Sequence, residues 1–310
     1  MKVAFVFPGQ GSQYPGMGKE LFDAFPAARE VFEEASEGVG IDIAKLCFEA
    51  SENELTLTYN AQPAIFTVSM AALRVLESEG LNVKPVVVAG HSLGEFSAAA
   101  SAGVFNVKDG AFLVRKRGKF MQEAVPPGVG GMTAVIGLPS EKIEDILGNI
   151  KSGFVQVANY NSPEQTVISG ELKALEEAET LLKGAGAKRV VRLSVSAPFH
   201  SELMKPAAER LKELMNGMHF SDAQIPVLNN ADVKLITNAE EIKDSFYRQV
   251  FSSVRWVEDV LKMKEMGIEL LLEIGPKNVL KGLVRRIDKS LKVLNVEKPA
   301  DVEKVLKELQ

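Results

Sequence analysis

Cysteine is nearly absent from this chain of 310 residues: Cys47 is the only one. A single thiol closes no disulfide within the chain and builds no cysteine-based metal site. Histidine is almost as scarce, so imidazole chemistry is confined to His91, His200 and His219. No long apolar run occurs; stretches stay far short of the roughly 20 residues that a membrane-spanning helix requires. Nor is there an excess of positive charge, since 36 Lys and Arg stand against 41 Asp and Glu, a net charge of -5. That balance gives no overall basic field for nucleic acid. Met1-Lys2 leads directly into Val3–Phe7, too short for a signal-peptide core and readable as a first strand. What remains is a globular chain, 46% hydrophobic and 25% charged. It is expected in the cytoplasm as a monomer, with no metal, nucleic-acid or membrane partner.

The most informative stretch is 85–103. Pro85 opens a short apolar, β-branched run of the kind expected in a strand buried on both faces. Gly90-His91-Ser92-Leu93-Gly94 then matches the G-x-S-x-G nucleophile elbow, and a helix of small side chains follows. The spacing has a physical basis. The serine occupies a strained turn, the flanking glycines omit the Cβ atoms that would separate strand from helix, and the helix N-terminus lies beneath the serine. Ser92 is the candidate nucleophile.

Elsewhere the chain alternates strand and helix. The Pro8-Gly9-Gln10-Gly11-Ser12-Gln13 loop after strand 3–7 fails as a dinucleotide fingerprint, because Tyr14 stands at the third glycine. It reads as an active-site wall with Gln10 as a donor, or as a plain turn. Helices are expected at 19–36, at 42–50, from the N-cap candidate Asn60 to Glu79, and at 107–124. After the Pro126–Gly131 linker, residues 132–195 read β-α-β-β-α-β, the ferredoxin-like order. Asn159-Tyr160-Asn161-Ser162-Pro163 reads as a turn between two of its strands, with Asn159 and Asn161 able to position substrate if it faces a cleft. The α/β alternation resumes from strand 225–229 onward. The expected fold class is therefore α/β, with 1–126 and 198–310 forming a large subdomain and 127–197 an inserted small one.

Two further residues stand out. On helix 107–124, Leu113, Val114, Arg117, Phe120 and Met121 share one face, so Arg117 sits in an apolar stripe and needs an anion. An internal carboxylate and a substrate carboxylate are both open as partners. Among the histidines, His219 lies in a helix-to-strand connection and His91 projects away from its neighbour Ser92. His200, at the return to the large subdomain where a cleft is expected, is the candidate base. No acidic residue presents itself as a third member, and a backbone carbonyl on Nδ1 would make a Ser-His dyad.

These motifs, together with Gln62-Pro63-Ala64, Phe199-His200-Ser201 and Gln249, occur in the order found in malonyl-CoA:acyl carrier protein transacylases, and the chain resembles that family over essentially its whole length. The resemblance implies an α/β-hydrolase-like large subdomain, with a mostly parallel sheet, carrying a ferredoxin-like small one. It implies Ser92 as nucleophile, His200 as base, and the N–H groups of Gln10 and Leu93 as oxyanion hole. Arg117 would hold the malonyl carboxylate and the Gln249 carbonyl would orient the histidine. His91, Gln62, Asn159, Asn161 and Phe199 would line or support the pocket, with Leu93 and Phe199 of the malonyl-selecting type. Substrates would be malonyl-CoA and holo acyl carrier protein, in fatty-acid synthesis, with no bound cofactor. Lys188, Arg189 and Arg192, or Lys281, Arg285 and Arg286, are candidate patches for an acidic carrier protein. Lys277 departs from the family, where glycine is frequent. The rival readings are a serine esterase or thioesterase, and a non-enzymatic nucleotide-binding module.

Overall fold

The computed structural model describes residues 1–195 and 197–309; positions 196 and 310, which fall inside the expected subdomain spans, lie outside the described residues. The strands, in chain order, are β1 (Val3–Phe7), β2 (Val87–Gly90), β3 (Gly130–Ile136), β4 (Val155–Ser162), β5 (Gln165–Glu171), β6 (Arg189–Arg192), β7 (Val227–Leu228), β8 (Leu235–Ile236), β9 (Leu270–Ile274) and β10 (Lys292–Val296). Among the described residues they form two sheets. One has the order β10-β9-β1-β2-β7-β8, parallel except for the β7–β8 pair. The other, β4-β5-β3-β6, is antiparallel throughout. This is a mixed α/β fold, and the second sheet with its helices keeps the β-α-β-β-α-β order read from the sequence.

The apolar run Val3–Phe7 is buried at every position because the parallel sheet is covered on both faces. Its alternate residues enter different cores. Val3, Phe5 and Phe7 pack with residues of α1 (Lys19–Ala24), α2 (Pro26–Val39), α3 (Ile43–Glu49), α4 (Glu52–Thr56), α5 (Thr58–Ser78), α6 (Leu93–Ser101) and α7 (Val107–Glu123). Helices α8 (Ser140–Leu147) and α9 (Leu172–Gly184) cover the small sheet through a third, separate core. The remaining helices are α10 (Lys205–Asn216), α11 (Ala239–Gln249), α12 (Trp256–Glu265), α13 (Val279–Ile287) and α14 (Pro299–Leu309). Ala4 and Val6 pack instead on Trp256, Val260 and Leu280, from α12 and α13. Glu273, buried in β9, accepts the N–H groups of Leu280 (2.9 Å) and Lys281 (2.8 Å) and so satisfies the start of α13.

Several expectations are corrected. The helix expected over 19–36 is two, because Phe25 before Pro26 is extended and the proline opens a new helix. Helix α5 begins at Thr58, and Asn60 is no cap: its amide donates to Glu54 O (2.9 Å) and accepts from Arg115 (2.5 Å). Helix α10 is implied by the sequence only as the helix that precedes the connection at His219, without bounds. The segment Asn159–Ser162 is the end of β4 and not a turn. It stays extended, through register shifts at Val157/Asn159 and Tyr160/Ser162, because the large unit supplies an edge for it: Tyr160 N donates to Val254 O (2.9 Å) and Val254 N to Ala158 O (2.8 Å). That pairing fixes the small sheet beside the carboxyl end of β2, where parallel α/β sheets place their ligands.

Candidate active site

The turn from β2 into α6 puts Ser92 at φ 52°, ψ -107°, a conformation that non-glycine residues rarely hold and that costs on the order of 1–3 kcal/mol. It persists because the surroundings leave it no alternative. Ser92 N donates to Asn230 Oδ1 (2.8 Å), and its carbonyl accepts from Glu95 N (3.0 Å) and Gln249 Nε2 (2.9 Å). The glycines act by close approach. A Cβ on Gly94 would lie 2.0 Å from Phe7 O, and one on Gly9 would lie 2.2 Å from His91 O. The Pro8–Gln13 loop can therefore lie directly against the elbow. The N–H groups of Gln10 and Leu93 have no main-chain acceptor among the described residues. The Gln10 side chain reaches Thr58 Oγ1 (3.3 Å).

Ser92 Oγ lies 2.7 Å from His200 Nε2. His200 also has a positive φ, 54°. Its Nδ1 faces two main-chain carbonyls, Gln249 O (3.0 Å) and Ser252 O (3.2 Å). An N–H must point at those carbonyls, so Nε2 is the free lone pair turned on the serine hydroxyl. Burial, reinforced by the charge of Arg117, pushes His200 down to about 3, and the imidazole is neutral at pH 7.

Arg117 is 1% exposed. One guanidinium nitrogen donates to Gln62 Oε1 (2.8 Å), and the other to Gln249 Oε1 (2.9 Å) and Ser92 Oγ (3.2 Å). Its Cζ lies over the Phe96 ring, 5.0 Å from the centroid, and Nε is buried without a partner. No carboxylate of the described residues makes an ion pair with it. Of the two partners left open by the sequence, an internal carboxylate in direct contact is ruled out among the described residues: the guanidinium is held by neutral oxygens. Burial lowers it to about 10, with Glu95 opposing, so it is a cation at neutral pH.

Both sheets contribute to the cleft above Ser92, about 290 Å³ in volume. Met132, Asn159 and Leu193 enter from the small unit, and Gln10, Leu93, Met121 and Phe199 from the large one. His91 also lines it, but its Nε2 is engaged with Asn161 Oδ1 (2.7 Å) and its ring meets Trp256 edge-on. His219 is exposed and outside the cleft. Lys188, Arg189 and Arg192 lie on the surface, with Arg192 paired to Glu179 (2.7 Å). Arg285 and Arg286 are exposed and Lys281 is partly so. Lys277 has φ 61°, a conformation glycine adopts freely.

Three features of the site were missed from the sequence. Asn230 is the first: besides holding Ser92 N, its amide donates to Gly90 O (2.7 Å) and Asp259 (2.9 Å), so it ties the strand end to the elbow. An Asn pair closing a parallel strand, Asn229-Asn230, is a signal that could have found it. The Gln249 side chain and Glu95 are the others; nothing in their local pattern marks them.

The chain has clear relatives. The acyl transferase domain family matches residues 4–309. A malonyl CoA-acyl carrier protein transacylase of Bacillus subtilis (strain 168) is 45% identical over 311 residues, covering 100% of this chain and 98% of that protein. The crystal structure of an acyl-carrier-protein-S-malonyltransferase from Bartonella henselae matches at TM-score 0.97 and 46% identity, over 100% of this chain and 99% of that one. A malonyl-transacylase in complex with its type II polyketide synthase acyl carrier protein matches at TM-score 0.96 and 44% identity, over 99% of this chain and 100% of that one.

Proposed function

The chain belongs to the acyl transferase domain family, and we propose that it carries a malonyl group from malonyl-CoA to the thiol of acyl carrier protein through an ester on Ser92. Neutral His200 takes the Ser92 proton through Nε2 as Oγ attacks the thioester carbonyl. The Nδ1–H is held by the carbonyls of Gln249 and Ser252, so no carboxylate is required behind the base. The free N–H groups of Gln10 and Leu93, the second at the start of α6, receive the developing oxyanion. Collapse expels CoA as its thiol, protonated by His200, and leaves malonyl on Ser92. The carrier-protein thiol then attacks the ester, His200 takes the thiol proton, and that proton returns to Ser92 Oγ as the serine leaves. A lone buried Cys47 suits a reducing compartment, and the cytoplasm is the proposed place of work.

The observation that carries this reading is the placement of Arg117. A buried cation, held only by neutral oxygens and 3.2 Å from the serine hydroxyl, suits an acyl group that bears its own carboxylate. The guanidinium can grip that carboxylate by two parallel bonds once it is turned from Ser92. An acetyl group leaves the cation without its anion, which separates the two substrates.

The test is a quenched reaction with labelled malonyl-CoA, read by peptide mass. Label on Ser92, discharged by holo carrier protein, is expected. Rapid release to water with the carrier unlabelled would instead identify a thioesterase. Arg117→Ala is expected to lose malonyl transfer by about 100-fold or more while acetyl transfer survives.

A further inference from the structure

Glu95 is fully buried one turn into α6, directly beneath the nucleophile, and the proposed route makes no use of it. Its two oxygens only accept. Asn230 N (3.0 Å) and Gln249 Nε2 (2.8 Å) donate to one of them, and Ser245 Oγ (3.2 Å) to the other. The Ser245 hydroxyl is itself the acceptor for Asn229 Nδ2 (2.9 Å), which leaves its proton for Glu95. Three donors aimed at one carboxyl group favour its anion and oppose the burial that raises Glu95 to about 7, so the group carries its charge above neutral pH. The second buried acid here, Asp259, differs: one oxygen accepts from Asn230 and the other has no partner. It is the group suited to hold a proton, and its acidity is driven far down by burial and by Glu95.

The Gln249 amide stands between Glu95 and Arg117. Its Nε2 donates to Glu95 and to Ser92 O, while its Oε1 accepts from Arg117. Reversing the amide would turn its NH2 toward the guanidinium and its oxygen toward a carboxylate and a carbonyl, so one orientation is enforced. We infer that Glu95 is a positioning residue for the acyl-carboxylate site: acting through Gln249 rather than by contact, it supplies the counter-charge of Arg117 and fixes its aim. A carboxylate in direct contact would occupy the guanidinium and compete with the substrate. One removed by an amide stabilises the cation and leaves its cleft side available.

This inference rests on the malonyl-transfer reading, and its test is chosen to fail separately. Glu95→Gln keeps size and most hydrogen-bonding capacity but removes the charge and frees the Gln249 amide to turn. With wild-type enzyme labelled normally on Ser92, kcat/KM for malonyl-CoA is expected to fall about tenfold further than that for acetyl-CoA. In an Arg117→Ala background the same change is expected to lose that selectivity, since the two residues act as one unit. Gln249→Met, which removes the amide but leaves its main-chain carbonyl for His200, is expected to show the same split and serves if Glu95→Gln does not fold. Equal losses on both acyl groups in the folded variants, or an undiminished effect without Arg117, would overturn the inference. Wild type that fails to take malonyl on Ser92 would instead overturn the parent reading.

Discussion

Ser92 and His200 meet at 2.7 Å, and both have φ just above +50°. They are held there by opposite means. The elbow is a local construction: strand, turn and helix lie within residues 87–101, and its tight contact is with the adjacent strand β1. The histidine sits at a junction assembled from distant pieces. Its ring is fixed by carbonyls at 249 and 252, and its own carbonyl accepts from Gln156 of β4 (3.1 Å). The local construction tolerates almost no change in its backbone, although its strained serine is tied from outside by Asn230 and Gln249. A distributed one spreads its support, so each single contact matters less.

The sharpest test of the first half of that contrast is Gly94→Ala. The added methyl would lie 2.0 Å from Phe7 O, main chain that cannot swing aside. A loss of about 3 kcal/mol or more in urea unfolding is expected. Wild-type stability would mean that the elbow is less tightly coupled to β1 than the contact implies.

Asn230 is the long-range element on which the elbow does depend. Asn230→Ala removes the acceptor for Ser92 N and the ties to Gly90 and Asp259. Acylation of Ser92 is expected to fall about 100-fold with malonyl and acetyl donors alike, because the nucleophile and not the carboxylate site is disturbed. A loss confined to malonyl-CoA would place Asn230 with Arg117 instead.

This difference also decides what the sequence made legible. The elbow, the apolar runs of β1 and β2 and the cation in the stripe of α7 could be read, because each is a pattern within a few turns of chain. The order of the small unit could be read for the same reason. Asn159–Ser162 was misassigned because its pairing partner is Val254, nearly a hundred residues away, and propensity alone favours a turn there. The roles of Glu95 and of the Gln249 amide were invisible because each is defined by a hydrogen bond spanning more than 130 residues. His200 was reached through the scarcity of histidine together with its place at the return to the large subdomain and the Phe199-His200-Ser201 motif.

The junction and the elbow carry opposite titration signatures. Burial first, then the charge of Arg117, moves His200 down to about 3, whereas an unfolded chain binds that proton near 6.5. Between those values the unfolded state holds more protons, so stability falls as pH is lowered below about 6.5. Glu95, raised to about 7 by burial, works the other way and favours the folded state as pH falls from 7 toward 4.5. Comparison with His200→Gln isolates the first term. Between pH 7 and pH 5 the wild type is expected to lose up to about 2 kcal/mol more than the variant in denaturant melts. Parallel curves would mean that His200 titrates in the folded protein as it does in the unfolded chain.

The smallest effect is expected where the distributed junction is trimmed by one contact. Gln156 bridges two strands of chain: its Nε2 donates to His200 O (3.1 Å), and its Oε1 accepts from Glu202 N (3.1 Å). Both bonds are partly exposed, so water replaces them when the side chain is lost, and the net cost of each is about 0.5–1 kcal/mol. The ring itself keeps its two carbonyl partners. Gln156→Ala is therefore expected to lower kcat about threefold for both acyl donors, with KM and the malonyl preference unchanged. Single-turnover acylation of Ser92 measures this directly. A hundredfold loss would show that one contact from β4 governs the base, and the contrast between a local elbow and a distributed junction would fail at that point.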